Sequence, residues 1–180
     1  MERNEQRKKG IAARNALSMD EVRRRSLRIV EAIVASPLWR EAETVLSYWA
    51  LGHEVDLSAL EDHARSEGKR LCYPLCTEPG QMIALLPLSE DSWQRGSYGI
   101  TEPLRERSEE IAPEEIDLVP CPCTAFDGEN HRMGMGGGYY DRYLPRCTHA
   151  RIAAVAFSVQ KQERLDTASW DADMETVFCS

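Results

Sequence analysis

The sequence predicts an α/β fold, a three-layer α/β/α arrangement on a mainly parallel sheet, in a single domain over residues 1–180. Three observations lead there. Short β-branched and aromatic runs alternate with helical stretches, the order expected of strands joined by crossover helices. The 180 residues suit one ordinary domain, and 42% hydrophobic with 29% charged residues suit a packed core rather than a disordered or fibrous chain. No internal repeat, low-complexity tract or linker divides the chain.

The elements follow in order. Residues 2–17 lack Pro and are rich in helix formers, with Gly10 the weak point. Ser18 caps a second helix, and Glu21 completes a capping box. Val22, Ile29, Val30 and Ile33 form its apolar stripe, and it stops near Ser36 because Pro37 follows. Residues 44–49 read as a first strand and 51–54 as a turn. Asp56 is a candidate N-cap for a helix through Leu57, Leu60 and Ala64 that ends at Gly68. Residues 70–73 predict a second strand, stopped by Pro74, and 82–86 a third. Residues 89–115, rich in charge, Pro and Gly, read as a long surface connection. A fourth strand is expected at 116–119, a short helix near 139–144, a fifth strand at 152–157 and a short last one at 177–178.

Charge narrows the partners. Residues 1–28 hold nine basic and four acidic side chains, a net of +5, so the rest of the chain carries −13 of the total −8. An acidic body argues against nucleic acid, whereas a local basic segment suits a small anion. No apolar run approaches a membrane span, and the basic N-terminus has no apolar stretch behind it, so a cytoplasmic protein is expected. Cys72, Cys76, Cys121, Cys123, Cys147 and Cys179 are spaced C-x3-C and C-x-C where they pair up, unlike a zinc ribbon, and read as reduced, mostly buried thiols.

The segment Arg132-Met133-Gly134-Met135-Gly136-Gly137-Gly138-Tyr139-Tyr140-Asp141-Arg142 carries the chemistry. Glycine lets backbone N–H groups approach a ligand, and successive N–H groups make an anion nest. The segment falls after a strand and before a helix, as phosphate loops do. It lacks the Lys-Ser/Thr of a Walker loop, and no short strand is expected to feed it directly, unlike a dinucleotide loop. A carboxylate beside a phosphate site repels it unless a cation intervenes, so Asp141 reads either as a magnesium ligand or as a carboxylate favoured near the start of the helix or paired with Arg142. Arg3 and Arg7, four apart, share a helix face and read as a phosphate clamp or a solvated basic face. Glu54 falls at the carboxyl end of the first strand, where open α/β sheets place ligands.

Together with Phe126-Asp127, this segment resembles the signature of 5-formyltetrahydrofolate cyclo-ligases, also called methenyltetrahydrofolate synthetases. The likeness extends through the basic N-terminal helix ending Ala16-Leu17-Ser18, Glu54-Val55-Asp56, Tyr73-Pro74, the stretch Tyr98-Gly99-Ile100-x-Glu102-Pro103, and Asp171. The resemblance implies ATP- and Mg²⁺-dependent closure of 5-formyltetrahydrofolate to 5,10-methenyltetrahydrofolate, by a cytoplasmic monomer with no nucleic-acid or membrane partner. It implies ATP contacts from Arg3, Arg7, Arg132, Met133, Gly134, Met135, Gly136, Gly137, Gly138, Tyr139 and Tyr140. Trp49, Glu54 and Tyr139 become the expected folate contacts, and Asp141 and Asp171 the expected metal ligands. Asn130 stands where the family commonly has Gly, a replacement the left-handed backbone tolerates. The rivals are a paralogue that activates another formyl or carboxyl compound, and a non-catalytic nucleotide- or folate-binding protein.

Overall fold

The computed structural model describes residues 2–96 and 99–180. Tyr98 of the expected signature lies outside them. Helices α1 (Arg3–Asn15) and α2 (Met19–Ala35) open the chain, and both halves of the Ser18–Glu21 capping box form between them. Val22, Ile29, Val30 and Ile33 are all buried, as their helical spacing requires. Pro37 ends α2 and begins another helix, α3 (Pro37–Glu41), which the sequence reading missed. Proline at a first helical position lacks only an N–H that would have no partner there.

One seven-stranded sheet organises the rest, in the order β11-β10-β7-β1-β2-β3-β6. β1 (Thr44–Leu46), β2 (Arg70–Glu78), β7 (Leu118–Pro122), β10 (Arg151–Ala156) and β11 (Thr176–Cys179) run parallel. β3 (Gln81–Pro87) and β6 (Ser108–Ile111) are antiparallel additions at one edge. Pro74 does not stop β2. β1 pairs with β2 only as far as Cys72, so beyond it β2 keeps a single neighbour, where a strand tolerates proline. β2 then turns back through Pro79-Gly80, with Gly80 at φ 75°, into β3.

The 89–115 stretch is more than a connection. It holds the hairpin β4 (Trp93–Arg95) and β5 (Thr101–Pro103) as well as β6. Helix α4 spans Leu60–Glu67, one turn later than Asp56 suggested; the Asp56 carboxylate instead accepts from Ser58 N–H at 2.9 Å. A further hairpin, β8 (Ala125–Phe126) with β9 (Arg132–Met133), leads into α5 (Tyr139–Tyr143).

Alternation along the strands gives the sheet two buried faces. Val45, Leu71, Leu118, Ala153 and Val155 pack towards α2, α3 and α4. Leu46, Cys72, Val119, Cys121, Ala154 and Ala156 pack on the face covered by α5, with Tyr143, Leu144 and Cys147. Four of the six free cysteines, Cys72, Cys121, Cys123 and Cys147, are therefore buried, and burial pushes the first three thiols up to about 12 and Cys147 to about 11. Among the described residues no helix is long and apolar enough to cross a membrane.

Candidate functional site

Helix α1 lies over the segments that follow the carboxyl ends of the parallel strands, and its glycine makes that position possible. A Cβ on Gly10 would overlap the Thr124 carbonyl oxygen. Gln6 fixes the same helix: its amide donates to Arg164 O at 2.8 Å, its side-chain oxygen accepts from Asp166 N–H at 2.9 Å, and its carbonyl accepts from Gln162 at 2.7 Å. Arg3, Arg7, Gly10 and Arg14 share one face at helical spacing.

That face meets the glycine loop. Arg7 Nε donates to Gly134 O at 2.8 Å and Nη1 to Asn4 Oδ1 at 2.6 Å. Arg3 forms a two-pronged pair with Asp171, at 2.6 and 2.8 Å, and also donates to Asp166 O. Burial opposes ionisation of Asp171, but the Arg3 hydrogen bonds and the Ala168 N–H outweigh it, so its pKa lies below the ordinary carboxylate value.

The loop differs from its expected setting in one respect: the short strand β9 feeds it directly. Within the run, Met133 stands apart. Its side chain packs with Ala125 and Leu165, and its carbonyl accepts from Thr124, so it anchors the loop. From Gly134 to Gly138 the backbone opens out, with Gly136 at φ 101° and Gly138 at φ 68°, values that exclude most side chains. Asn130 adopts φ 64°, the left-handed value expected of it.

Arg132 is 2% exposed in its side chain and crosses beneath the loop. Nη2 donates to Asp141 Oδ1 at 2.6 Å, Nη1 donates to Pro122 O at 3.1 Å, and the guanidinium lies 5.7 Å from the centre of the Tyr140 ring. Asp141 is thus paired with Arg132, not with Arg142, which donates to Gly137 O at 2.8 Å. Asp141 Oδ2 accepts no hydrogen bond among the described residues, whereas both Asp171 oxygens are taken.

The loop separates two clefts. One, of about 420 Å³, is mainly apolar and is lined by Tyr48, Trp49, Tyr73, Met82, Ile100 and Tyr139, with the acidic side chains of Glu54 and Glu102 on its wall. The other, of about 400 Å³, is charged and lined by Arg3, Arg7, Arg142, Asp141, Asp171 and Trp170. Gly134, Gly136, Gly138 and Asp141 line both. The expected folate contacts Trp49, Glu54 and Tyr139 lie in the apolar cleft; of the expected ATP contacts, Arg3 and Arg7 line the charged cleft alone, Gly134, Gly136 and Gly138 line both, and Arg132, Met135, Gly137, Tyr139 and Tyr140 line the apolar one.

Two residues of the apolar cleft's surroundings have no role in the sequence reading. Arg14 is buried beside it and places Nη1 3.4 Å from Glu54 Oε1, while Glu54 Oε2 accepts from Leu51 N–H at 3.0 Å. Its signal was there: Arg14 falls two helical turns after Arg7. Glu102, by contrast, makes no side-chain hydrogen bond among the described residues, and partial burial raises its pKa. Trp49, Tyr73 and Trp93 form one aromatic cluster, with ring centroids 4.9 to 5.9 Å apart.

Comparison with known proteins agrees with this geometry. A family model described as the 5-formyltetrahydrofolate cyclo-ligase family matches residues 1–180. The 5-formyltetrahydrofolate cyclo-ligase of Escherichia coli K12 is 25% identical over 168 residues, 91% of this chain and 92% of that protein. The Haemophilus influenzae cyclo-ligase is 27% identical over 139 residues, 75% and 74% of the two chains. The solved structure of Aquifex aeolicus 5,10-methenyltetrahydrofolate synthetase superposes with a TM-score of 0.86 at 33% identity, covering 99% of this chain and 90% of that one. That of the Mycoplasma pneumoniae synthetase gives 0.81 at 25% identity, covering 99% and 98%. With the whole chain matched, and the glycine loop set between an apolar and a charged cleft, this chain belongs to the 5-formyltetrahydrofolate cyclo-ligase family.

Proposed function

We propose that the protein converts 5-formyltetrahydrofolate to 5,10-methenyltetrahydrofolate with ATP, releasing ADP and phosphate. The observation that carries this reading is the shared wall: one run of glycine backbone borders an apolar cleft suited to a flat heterocycle and a basic cleft suited to a triphosphate. A reaction between a folate oxygen and a terminal phosphate needs such a junction.

The chemistry sets the order of events. The formyl carbon is bound to N5 as an amide, so its oxygen is a poor leaving group until it is phosphorylated. The formyl oxygen attacks the γ-phosphorus, and the bridging P–O bond breaks with its electrons on ADP. N10 then adds to the formyl carbon and gives up its proton to solvent. The C–O bond breaks, and phosphate leaves with that oxygen. The protein positions the reactants and offsets charge.

The roles divide along the two clefts. Trp49 and Tyr139 enclose the pterin, and Glu54, held in place by Arg14 and Leu51 N–H, accepts from its donor edge. Arg3, Arg7 and the open backbone from Gly134 to Gly138 hold the triphosphate, with Tyr139 and Tyr140 closing the loop. Arg132 and Met133 support that loop from below. Helix α5 has only five residues, so the nest and the guanidiniums, more than a helix dipole, attract the anion.

Magnesium fits Asp141 better than Asp171. A hard cation takes oxygen ligands, commonly one or two carboxylates with phosphate oxygens, and Asp141 keeps one oxygen without a hydrogen bond among the described residues. Asp171 serves Arg3. When bound, the cation neutralises charge building on the phosphate oxygens. Both clefts form within one chain, which supports a monomer as the working unit. The buried, unpaired thiols suit a reducing cytoplasm.

Mixing the purified protein with 5-formyltetrahydrofolate and MgATP tests this directly. The methenyl absorbance should grow only when ATP is present, with one phosphate released per product. Phosphate release without the chromophore would favour the paralogue, and neither signal would favour a binding protein.

A further inference from the structure

We propose that Trp170 is the platform on which the nucleobase of the bound nucleotide stacks. This rests on reading the charged cleft as the triphosphate site. Trp170 is 71% exposed, the most exposed of the large hydrophobic side chains among the described residues. It lines the charged cleft, whose other lining residues are arginine, aspartate and glycine. A triphosphate held by Arg3 and Arg7 brings a flat aromatic base with it, and among the described residues the indole is the one aromatic surface that lines this cleft.

The indole is exposed but its backbone is pinned. Asp171 N–H donates to Ala168 O at 3.0 Å, and Ala168 N–H donates to Asp171 Oδ2 at 2.7 Å, so residues 168–171 form a closed turn. Arg3 grips the same carboxylate from α1. The pair therefore does two things: it sets a guanidinium in the cleft and holds the adjoining indole at its rim. A rigid aromatic face presented to solvent binds a base with little ordering cost. Stacking reads a π-face rather than a hydrogen-bonding edge, so ATP and GTP should bind alike and pyrimidine triphosphates more weakly.

The test compares MgATP with magnesium tripolyphosphate, which has the phosphates and no base, by calorimetric titration of the full chain. Trp170→Ala should weaken ATP about tenfold and Trp170→Phe much less, while tripolyphosphate affinity stays unchanged in both. ATP should also quench tryptophan emission in the unmodified protein and lose most of that effect in Trp170→Phe. If Trp170→Ala binds ATP as tightly as the unmodified protein while tripolyphosphate still competes with ATP, the base lies elsewhere and the proposal fails. Equal weakening of both ligands would give Trp170 a structural role and overturn it too. If tripolyphosphate does not compete with ATP in the unmodified protein, the triphosphate reading itself fails, and this inference with it.

Discussion

Arg3 and Asp171, 168 positions apart in the chain, meet in a two-pronged ion pair at 2.6 and 2.8 Å on the wall of the charged cleft. The family resemblance gives them separate tasks, Arg3 as a phosphate contact and Asp171 as a metal ligand. Their pairing makes them one device that joins the first helix to the last loop.

Breaking that device should act on ATP before it acts on folate. Asp171→Asn keeps the shape but removes the charge that orients Arg3, and the KM for ATP should rise about tenfold with the folate KM nearly unchanged. The pH dependence has a definite sign. Asp171 titrates below its ordinary value of 3.8, so its contribution is present above that pH and disappears as pH falls through the lowered value. The difference in ATP affinity between the unmodified protein and Asp171→Asn should therefore persist from neutrality down to about pH 4, measured by titration calorimetry.

Gly10→Ala sets two effects against each other. Alanine favours a helix over glycine by about 1 kcal/mol. Its Cβ, however, would overlap the Thr124 carbonyl oxygen, which belongs to backbone that cannot swing aside. Overpacking of this kind costs about 1–3 kcal/mol, and packing should win. Denaturant unfolding should show a lower midpoint than the unmodified protein. A stabilised variant would mean that α1 does not sit this close to residue 124.

Arg14→Met leaves Glu54 beside the apolar cleft without its cation. Removing one partner of a buried pair costs about 3 kcal/mol, which thermal unfolding would register. Turnover should fall through the folate KM, because Glu54 loses its orientation, while ATP binding to the folded fraction stays intact. Arg14→Lys should recover part of the stability.

His131 and Asp127 give a second pH signature. Their side chains lie 2.9 Å apart, and this hydrogen bond raises the imidazole above its ordinary 6.5. Burial pushes the Asp127 carboxyl up, but the Leu165 N–H, the imidazole and two further N–H groups bring it below 3.8. The His131 contribution to stability is complete below pH 6.5 and is lost as pH rises through the raised value; that of Asp127 is present above 3.8 and lost in acid. Imidazole proton shifts should titrate above 6.5 in the unmodified protein and return towards it in Asp127→Asn.

Much of this was readable because local rules govern it. The capping box of Ser18 and Glu21, the stripe from Val22 to Ile33 and the glycines of the loop each declare themselves within a few residues. The β2–β3 hairpin was not readable, because Pro74 looks like a terminator until β1 is known to leave the strand at Cys72. The ion pair that Asp141 makes was hidden for a related reason. Arg142 is its neighbour in sequence, but the hairpin β8–β9 brings Arg132 beneath it. Spacing puts Arg14 on the face of Arg3 and Arg7, but that Arg14 meets Glu54 and Arg3 meets Asp171 is decided by tertiary structure alone.

Labelling the formyl oxygen of 5-formyltetrahydrofolate with ¹⁸O and analysing the released phosphate by mass spectrometry probes the junction of the two clefts most directly. If the glycine wall brings the formyl oxygen onto the terminal phosphate, each phosphate released carries one heavy oxygen. Unlabelled phosphate, with the heavy atom found in water, would show that the oxygen never met phosphorus and that the two clefts do not work together.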